Sequence, residues 1–246
     1  MYNYLLTISF MGSNYHGTQI QNNALTIQEV LQNTLFDILG GPTDIKLCSR
    51  LDSGVHAFQF CISFFADYII DEHSFLERLN HSLPYDIRAY RLVPVSSDFH
   101  ARYSSLGKRY EYLIYNGEYL PPFWEGRAFH IRGKLDFDTM EKAASLFIGK
   151  HDFTSFCSSK SDIQDKIREV YDISIKHEKN SDILILSIYA DGFLDNMARI
   201  IAGAVVRCGA SKLKLSDIQD YLKGKPRDNK LPTLPAYALY LKEVYY

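Results

Sequence analysis

Two kinds of hydrophobic pattern alternate along the chain, and their order constrains the fold more than any other feature. Residues 2–10 place every second side chain, from Tyr4 to Phe10, on one side of the segment, which is typical of a half-buried strand. Apolar residues then recur at helical spacing from Ile27 to Leu39. This run follows Thr26 and ends at two glycines and a proline, as a capped helix would.

The same order continues through the chain. Alternating residues from Phe58 to Phe64 predict a strand with one aromatic core face, Ser74 predicts the start of a second helix, and residues 87–95 predict another strand. In the second half we expect a helix capped by Asp138, strands over 167–175 and 183–189, a helix over 193–207 and a last strand in ALYLKEVYY.

Both halves therefore predict an α+β fold in which helices pack on antiparallel sheets. We place the seam between the halves near residues 103–110. The expected domains are residues 1–105 and residues 106–246, related in architecture although no sequence repeat of fixed period joins them.

The composition is that of an ordinary globular protein, with 246 residues, 46% hydrophobic residues and a formal net charge of -2. No apolar stretch approaches the roughly 20 residues of a membrane span, and no secretory signal pattern opens the sequence, so we expect a cytoplasmic protein. The four cysteines lie far apart without metal-ligand spacing. We interpret them as reduced thiols, mostly in the core.

One stretch is locally basic despite the acidic total. The segment from Ile87 to Tyr110 contains five arginine or lysine residues but only one acidic residue, Asp98. Four aromatic residues are interleaved with the basic ones. A nucleic-acid partner would need such a local surface, because the whole chain does not attract phosphate. A solvated protein face is the alternative interpretation.

The segment CSRLDSGVHAFQF, residues 48–60, concentrates the candidate chemistry. Asp52 lies in a loop directly before a strand, where a carboxylate held by rigid neighbours can act as nucleophile or general base, or can merely form an Asx-turn. Arg50 can bind phosphate or pair locally. His56 can carry a proton or be a structural histidine.

Two candidates lie in the second half. Arg199 departs from the apolar stripe of its helix, and it can either pair with Asp195 one turn earlier or reach a carboxylate from the other half and orient it. Tyr110 opens a strand directly after Lys108 and Arg109. Its ring is either a packing residue or a surface on which a base stacks.

Several motifs together indicate a family. The segments SRLDSGVHA (49–57), FHAR, KRYEY, HDFTSF (151–156), a GFLxxMxRxIxG helix and a closing PAxxLYLxxV stand in order along nearly the whole chain. In this respect the sequence resembles the tRNA pseudouridine synthase A family. That resemblance implies two related α+β domains whose sheets join across a central cleft, and a homodimer that binds tRNA.

The resemblance also implies a reaction and its residues. Uridine in the anticodon stem-loop, around positions 38–40, would be isomerised to pseudouridine without metal or organic cofactor. Asp52 would be the essential carboxylate and Arg199 its salt-bridge partner, while Tyr110 would stack on the target base and Arg50 would contact phosphate. His56, Lys108 and Arg109, which lie in the matched motifs, are the further substrate-binding candidates.

The flanking positions depart from the common family pattern. Ser49, Leu51 and Ser53 stand where glycine, threonine and alanine are usual, and in the first loop Met11 and Thr18 replace an aspartate and a tryptophan. These departures leave the target position open. They also favour one alternative, an RNA-binding or tRNA-folding protein of synthase ancestry without turnover. A separate alternative without RNA is a carboxylate-dependent glycosidase or nucleosidase that acts on small substrates.

Overall fold

The computed structural model describes residues 1–178 and 181–246. The strands are β1 (Tyr2–Phe10), β2 (Ile45–Leu47), β3 (His56–Ala66), β4 (Ile87–Val95), β5 (Gly107–Tyr115), β6 (Phe129–His130), β7 (Gly149–Asp152), β8 (Ile167–His177), β9 (Ile183–Ala190) and β10 (Leu239–Tyr245). The α-helices are α1 (Ile27–Leu39), α2 (Glu72–Ser82), α3 (Phe137–Ser145), α4 (Met197–Gly209) and α5 (Leu215–Leu222).

The chain forms two compact units. The first contains residues Met1–Leu106 together with the C-terminal residues Tyr240–Tyr246, and the second contains Gly107–Leu239. Each unit combines a sheet with helices, so the predicted α+β class is confirmed. The sheets are mixed and not purely antiparallel, because β10 pairs with β3 and β6 with β5 in parallel.

In the first unit the strands follow the order β4-β1-β3-β10, and β2 adds to β3. The predicted alternation of β1 is confirmed, since its inward residues from Tyr4 to Phe10 are all buried. Their partners across the antiparallel ladder include Phe64 opposite Tyr4 and Phe60 opposite Ile8. Helix α2 packs on this face through Phe75, whose ring stacks on that of Phe64.

Strand β3 differs from the prediction of a single core face. Phe58 is 47% exposed, and its ring lies against Tyr240 of β10 instead of the helices. The pairing of β1 with β3 shifts register between Ile8 and Phe10, which takes Phe58 off the core face of the strand. Cys61 and Ser63, which also point away from that face, are buried. The loop after β4 covers them there, because the backbone N–H of Ala101 donates to the Ser63 hydroxyl. The alternating pattern of β3 could not show that the loop after β4 covers its second face.

Helix starts follow the capping principle, although not always at the predicted residue. Thr26 caps α1 as expected, accepting from the Glu29 N–H, and Gly40 ends the helix in a left-handed conformation. Helix α2 is capped by Asp71, whose carboxylate accepts from the N–H of Ser74, so Ser74 itself is not the cap. In the same way Asp136 caps α3, which the prediction had assigned to Asp138.

In the second unit the order is β5-β9-β8-β7, with antiparallel pairs throughout this path. The nearly continuous apolar sequence of β9 agrees with its place between β5 and β8. The HDFTSF segment supplies core aromatic residues, since the rings of Phe153 and Phe156 contact Phe147 and are fully buried. Tyr221 of α5 completes this cluster.

All four cysteines are buried, and none forms a disulfide, as the sequence predicted. Across residues 1–178 and 181–246, no helix has the length and apolarity needed to cross a membrane.

Candidate active site

Asp52 is the first residue of a tight turn. The Val55 N–H donates to the Asp52 carbonyl oxygen at 3.2 Å, and Gly54, the third residue of the turn, has a φ of 82°. A type II turn needs glycine at this place, because a side chain would be strained there. The side chain of Asp52 is half-buried. The carboxylate therefore extends from a backbone with one defined geometry. We call residues 48–55 the Asp52 loop.

A second segment, residues 11–18, packs directly against the Asp52 loop, and we call it the Gly12 loop. A Cβ atom added to Gly12 would lie 1.9 Å from the Val55 carbonyl oxygen, and one added to Gly17 would lie 2.6 Å from that of Leu51. No side chain fits at either point. Glycine is thus required at both positions of the Gly12 loop, because the two backbones lie so close together there.

The Gly12 loop is itself anchored to the connection between α2 and β4, at the residue directly before β4. The Tyr15 hydroxyl donates to one carboxylate oxygen of Asp86 at 2.6 Å, and the Asn14 amide donates to the other at 2.8 Å. Both Tyr15 and Asp86 are buried. Burial and the adjacent carboxylate raise the pKa of the Tyr15 phenol, which therefore remains a hydrogen-bond donor at neutral pH.

Arg50 and His56 lie on either side of the turn and have opposite exposure. Arg50 is exposed. His56 is only 1% exposed, its Nδ1 accepts from the Gly12 N–H at 3.0 Å, and its ring stacks on Tyr240. Because Nδ1 accepts this hydrogen bond, the imidazole ring carries its hydrogen on Nε2. The contacts of His56 hold the Gly12 loop.

Tyr110 lies on β5 in the second unit. Its side chain is 4% exposed, and its ring centroid lies 4.6 Å from that of Phe193 in an edge-to-face contact. Tyr112, two residues later on the same face of the strand, donates its hydroxyl to the Pro235 carbonyl oxygen at 2.9 Å. Burial raises the pKa of Tyr112, and the nearby cation Arg199 opposes that rise. Arg199 therefore lies within electrostatic reach of this strand face.

Arg199 is held by polar contacts within the second unit. Its Nε donates to the Leu234 carbonyl oxygen at 2.7 Å, and one Nη donates to the Asn196 side chain at 2.5 Å. The guanidinium group is planar, so two fixed nitrogens define the direction of the remaining N–H groups. The side chain is half-buried, which leaves part of the group accessible.

The helix that carries Arg199 begins four residues later than predicted. Asn196 has a φ of 63°, a left-handed conformation that no α-helix continues, so α4 starts at Met197 and not at Phe193. Asparagine tolerates this conformation better than most residues. Asn196, which directly precedes α4, also supplies the side-chain oxygen that accepts a hydrogen bond from Arg199.

The cations of the predicted basic stretch have different surroundings. Arg91 and Arg102 are exposed, and the Arg102 guanidinium lies 5.7 Å from the ring of Tyr103, which is itself 75% exposed. Lys108 is half-buried. Arg109 forms an ion pair with Asp172 at 2.9 Å.

Arg109 has further partners in the second unit. The same nitrogen that contacts Asp172 donates to the Ser187 hydroxyl at 3.0 Å, and the guanidinium lies over the ring of Tyr189. These partners in the second unit therefore compensate a large part of the positive charge of Arg109.

The site residues thus form two groups. Arg50, Asp52 and His56 belong to the first unit, and the others, Lys108, Arg109, Tyr110 and Arg199, belong to the second. Sequence reasoning had not identified the roles of Asn196, Asp86 and the Leu234 carbonyl. An asparagine directly before a helix is a usable signal for the first, whereas a carbonyl oxygen has no signature in sequence.

Comparison with known proteins defines the class. The family described as tRNA pseudouridine synthase matches residues 143–246. A tRNA pseudouridine synthase A of Ruminiclostridium cellulolyticum is 40% identical over 241 residues, which cover 98% of each chain. One from Lacticaseibacillus casei is 38% identical over the full length of both chains. The fold and these relatives define an α+β isomerase of the tRNA pseudouridine synthase class.

Because the identity extends over the whole chain, the protein belongs to the tRNA pseudouridine synthase A family. Among solved structures, an H/ACA ribonucleoprotein bound to a substrate RNA containing 2'-deoxyuridine is 11% identical with a TM-score of 0.40. That match covers 96% of this chain and 59% of the other.

The left-handed backbone at Asn196 yields a stability test. Both Asn196→Ala and Asn196→Gly remove the oxygen that accepts from Arg199, but alanine keeps a Cβ at a φ of 63°, whereas glycine removes it and with it the strain. We expect the alanine variant to be less stable than the glycine variant by about 1 kcal/mol, measured by urea unfolding.

The neighbouring residue provides the control. Asp195 is exposed and has an ordinary negative φ, so there Asp195→Ala is expected to be at least as stable as Asp195→Gly. The same order of stabilities at position 196 would contradict the assigned strain.

Proposed function

We propose that this enzyme converts uridine to pseudouridine in the anticodon stem-loop of tRNA, around positions 38–40, with Asp52 as its essential carboxylate. The observation that carries the proposal is the placement of Asp52 on a turn with one backbone geometry, inside a segment that resembles the family's active-site motif. A preorganised carboxylate does not need to be reoriented during the reaction.

The stoichiometry of the proposed reaction requires no redox cofactor. The bond between N1 of uracil and C1' of ribose breaks, a bond between C5 and C1' forms, and a proton leaves C5 while N1 gains one. No electron is gained or lost overall, so no oxidant or reductant is consumed. The base must first leave its stack in the RNA.

The role of Asp52 has two chemical forms. An ionised carboxylate can attack the sugar at C1' and form a covalent intermediate, as in retaining glycosidases, or it can remove a sugar proton. Both forms require the carboxylate to be charged and directed at the ribose. The fixed turn supports either of them equally.

We assign Arg199 as the salt-bridge partner of Asp52 and Tyr110 as the ring that stacks on the target base. The role of Arg199 is supported by its half-buried position and by the contacts of its guanidinium group with Leu234 and Asn196. What supports the role of Tyr110 is an aromatic ring held edge-to-face by Phe193. A closed aromatic pocket would keep the detached uracil from escaping while it turns.

The remaining candidates differ in how directly they would act on RNA. Arg50 is exposed and suits a phosphate contact, and Lys108 is half-buried. Arg109 is already paired with Asp172, so only the part of its guanidinium group that does not contact Asp172 would bind RNA. His56 is buried, and we propose that it affects binding through the Gly12 loop.

The first test removes the charge of Asp52 and keeps its shape. Asp52→Asn is expected to lower the rate of pseudouridine formation in tRNA transcripts by at least about three orders of magnitude. The affinity for tRNA should change little, because phosphate contacts dominate it. Single-turnover assays with excess enzyme measure the rate, and filter binding measures the affinity.

The matched control is Asp67→Asn, which removes an exposed carboxylate at the other end of β3 and should leave the rate unchanged. Turnover by Asp52→Asn at the wild-type rate would contradict the role of this carboxylate. A wild-type protein that binds tRNA without any turnover would instead support the alternative of a binding or folding protein.

The second test concerns the exposed cations of the first unit. If Arg91 and Arg102 contact phosphates, Arg91→Ala and Arg102→Ala should each weaken tRNA binding. Each should also reduce the slope of log affinity against log salt by about 1. Arg78→Ala, which removes an exposed arginine of α2, is the control and should leave the slope unchanged. Unchanged slopes in all three variants would remove this surface from the proposal.

We also propose that the enzyme acts as a homodimer in the cytoplasm. Support for the dimer is the family resemblance, and support for the compartment is a set of four buried cysteines without a disulfide. Sedimentation equilibrium should give twice the mass of the chain at micromolar concentration. A monomer mass, in the presence and absence of tRNA, would contradict the dimer.

A further inference from the structure

Thr18 makes a set of contacts that the family resemblance does not explain. Its side chain is 1% exposed, and its Oγ1 accepts a hydrogen bond from the Leu51 N–H at 2.9 Å. The Thr18 N–H donates to the Leu51 carbonyl oxygen at 3.2 Å, and Oγ1 lies 3.4 Å from the Ser49 carbonyl oxygen as donor. Leu51 is the residue directly before Asp52.

We propose that Thr18 is a positioning residue for Asp52, acting through the backbone of Leu51. Both polar groups of the Leu51 backbone are bonded to Thr18, so one residue holds the two peptide planes that flank Leu51. The hydroxyl bonds the first plane and the Thr18 N–H bonds the second, which leads into Asp52. This inference rests on the proposed role of Asp52 and deepens it, because it names the residue that sets the direction of the carboxylate.

The hydroxyl group is required for this contact. The common family residue at this position is tryptophan, whose indole N–H is a donor only and cannot accept from the Leu51 N–H. Position 51 is likewise a departure, since Leu51 stands where threonine is usual, and its side chain is buried. Two departures from the common pattern thus meet at one pair of hydrogen bonds.

Thr18 is in turn held by the start of α1. The N–H of Gln28 donates to the Thr18 carbonyl oxygen at 3.0 Å, and the N–H of Ile27 donates to the Gly17 carbonyl oxygen at 3.2 Å. These are N–H groups of the first helical turn, which have no partner inside the helix. The helix, the Gly12 loop and the Asp52 loop are therefore joined in one continuous set of hydrogen bonds.

A second contact fixes the other side of Asp52. The Ser53 hydroxyl donates to the Tyr15 carbonyl oxygen at 3.2 Å. Tyr15 is anchored to Asp86, so this bond also leads to a rigid element. Ser53 is exposed, however, and water can replace its contact. Thr18 is buried, and water cannot replace its hydroxyl as an acceptor in the same way.

The test compares variants that differ in one hydroxyl. Thr18→Val keeps the shape of the side chain but leaves the Leu51 N–H without its acceptor, whereas Thr18→Ser keeps the hydroxyl. We expect Thr18→Val to lower kcat by about 10- to 100-fold, because small displacements of a reacting group cost that much. KM for tRNA should stay near the wild-type value, and Thr18→Ser should restore most of kcat.

Thr34→Val is the control for the removal of a buried threonine hydroxyl elsewhere in the first unit. Thr34 is also a buried threonine of the first unit, and its hydroxyl donates to the Val30 carbonyl oxygen within α1, away from the Asp52 loop. This variant should retain wild-type kcat, and it should lose less stability in urea unfolding than Thr18→Val, because it leaves no buried N–H without an acceptor. All assays are made well below the unfolding midpoint of each variant.

The outcomes separate the two proposals. If Asp52→Asn is inactive and Thr18→Val has wild-type kcat, the positioning role is wrong and the role of Asp52 stands. A loss of kcat in Thr34→Val equal to that in Thr18→Val would also overturn the inference, since the effect would not be specific to the contact with Leu51. If Asp52→Asn has wild-type activity, the proposed role of Asp52 fails, and the positioning role fails with it.

Discussion

The contact between two backbone segments at Gly12 and Gly17 is the constraint on which the candidate site depends. At these points the Gly12 loop lies so close to the Asp52 loop that a single methyl group would collide with a carbonyl oxygen. Closeness of this kind excludes water, so the polar groups of both backbones must bond to each other. The hydrogen bonds of Thr18 and His56 meet that requirement, and in doing so they fix the turn that carries Asp52.

The elements were predictable where the cause of the structure is local. The alternation of β1 and the cap of α1 depend on a few neighbouring residues, and both agree with the structure. The caps of α2 and α3 were predicted at the wrong residue because Asp71 and Asp136 compete with nearby candidates for the same N–H groups. Capping residues of similar quality a few positions apart cannot be ranked by pattern alone.

The site was predictable only in part, for a different reason. A motif can single out Asp52 and Arg199, because the chemistry proposed for them depends on residue type. The groups that hold them are often backbone atoms, such as the Leu234 carbonyl oxygen beside Arg199. Every residue has a carbonyl oxygen, so nothing in the sequence distinguishes this one. The exposure of Phe58 was missed because the pairing of β1 with β3 shifts register between Ile8 and Phe10, and an alternating pattern does not show such an irregularity.

The matched motifs also divide by physical role. The aromatic residues of HDFTSF are fully buried and belong to the core of the second unit, so a match there mainly reports the fold. Asp52 and Arg199 are half-buried instead. A reacting group needs both conditions at once, because it must be held by neighbours on one side and reached by substrate on the other. Half-burial on a defined backbone is therefore the arrangement that the chemistry proposed for Asp52 requires.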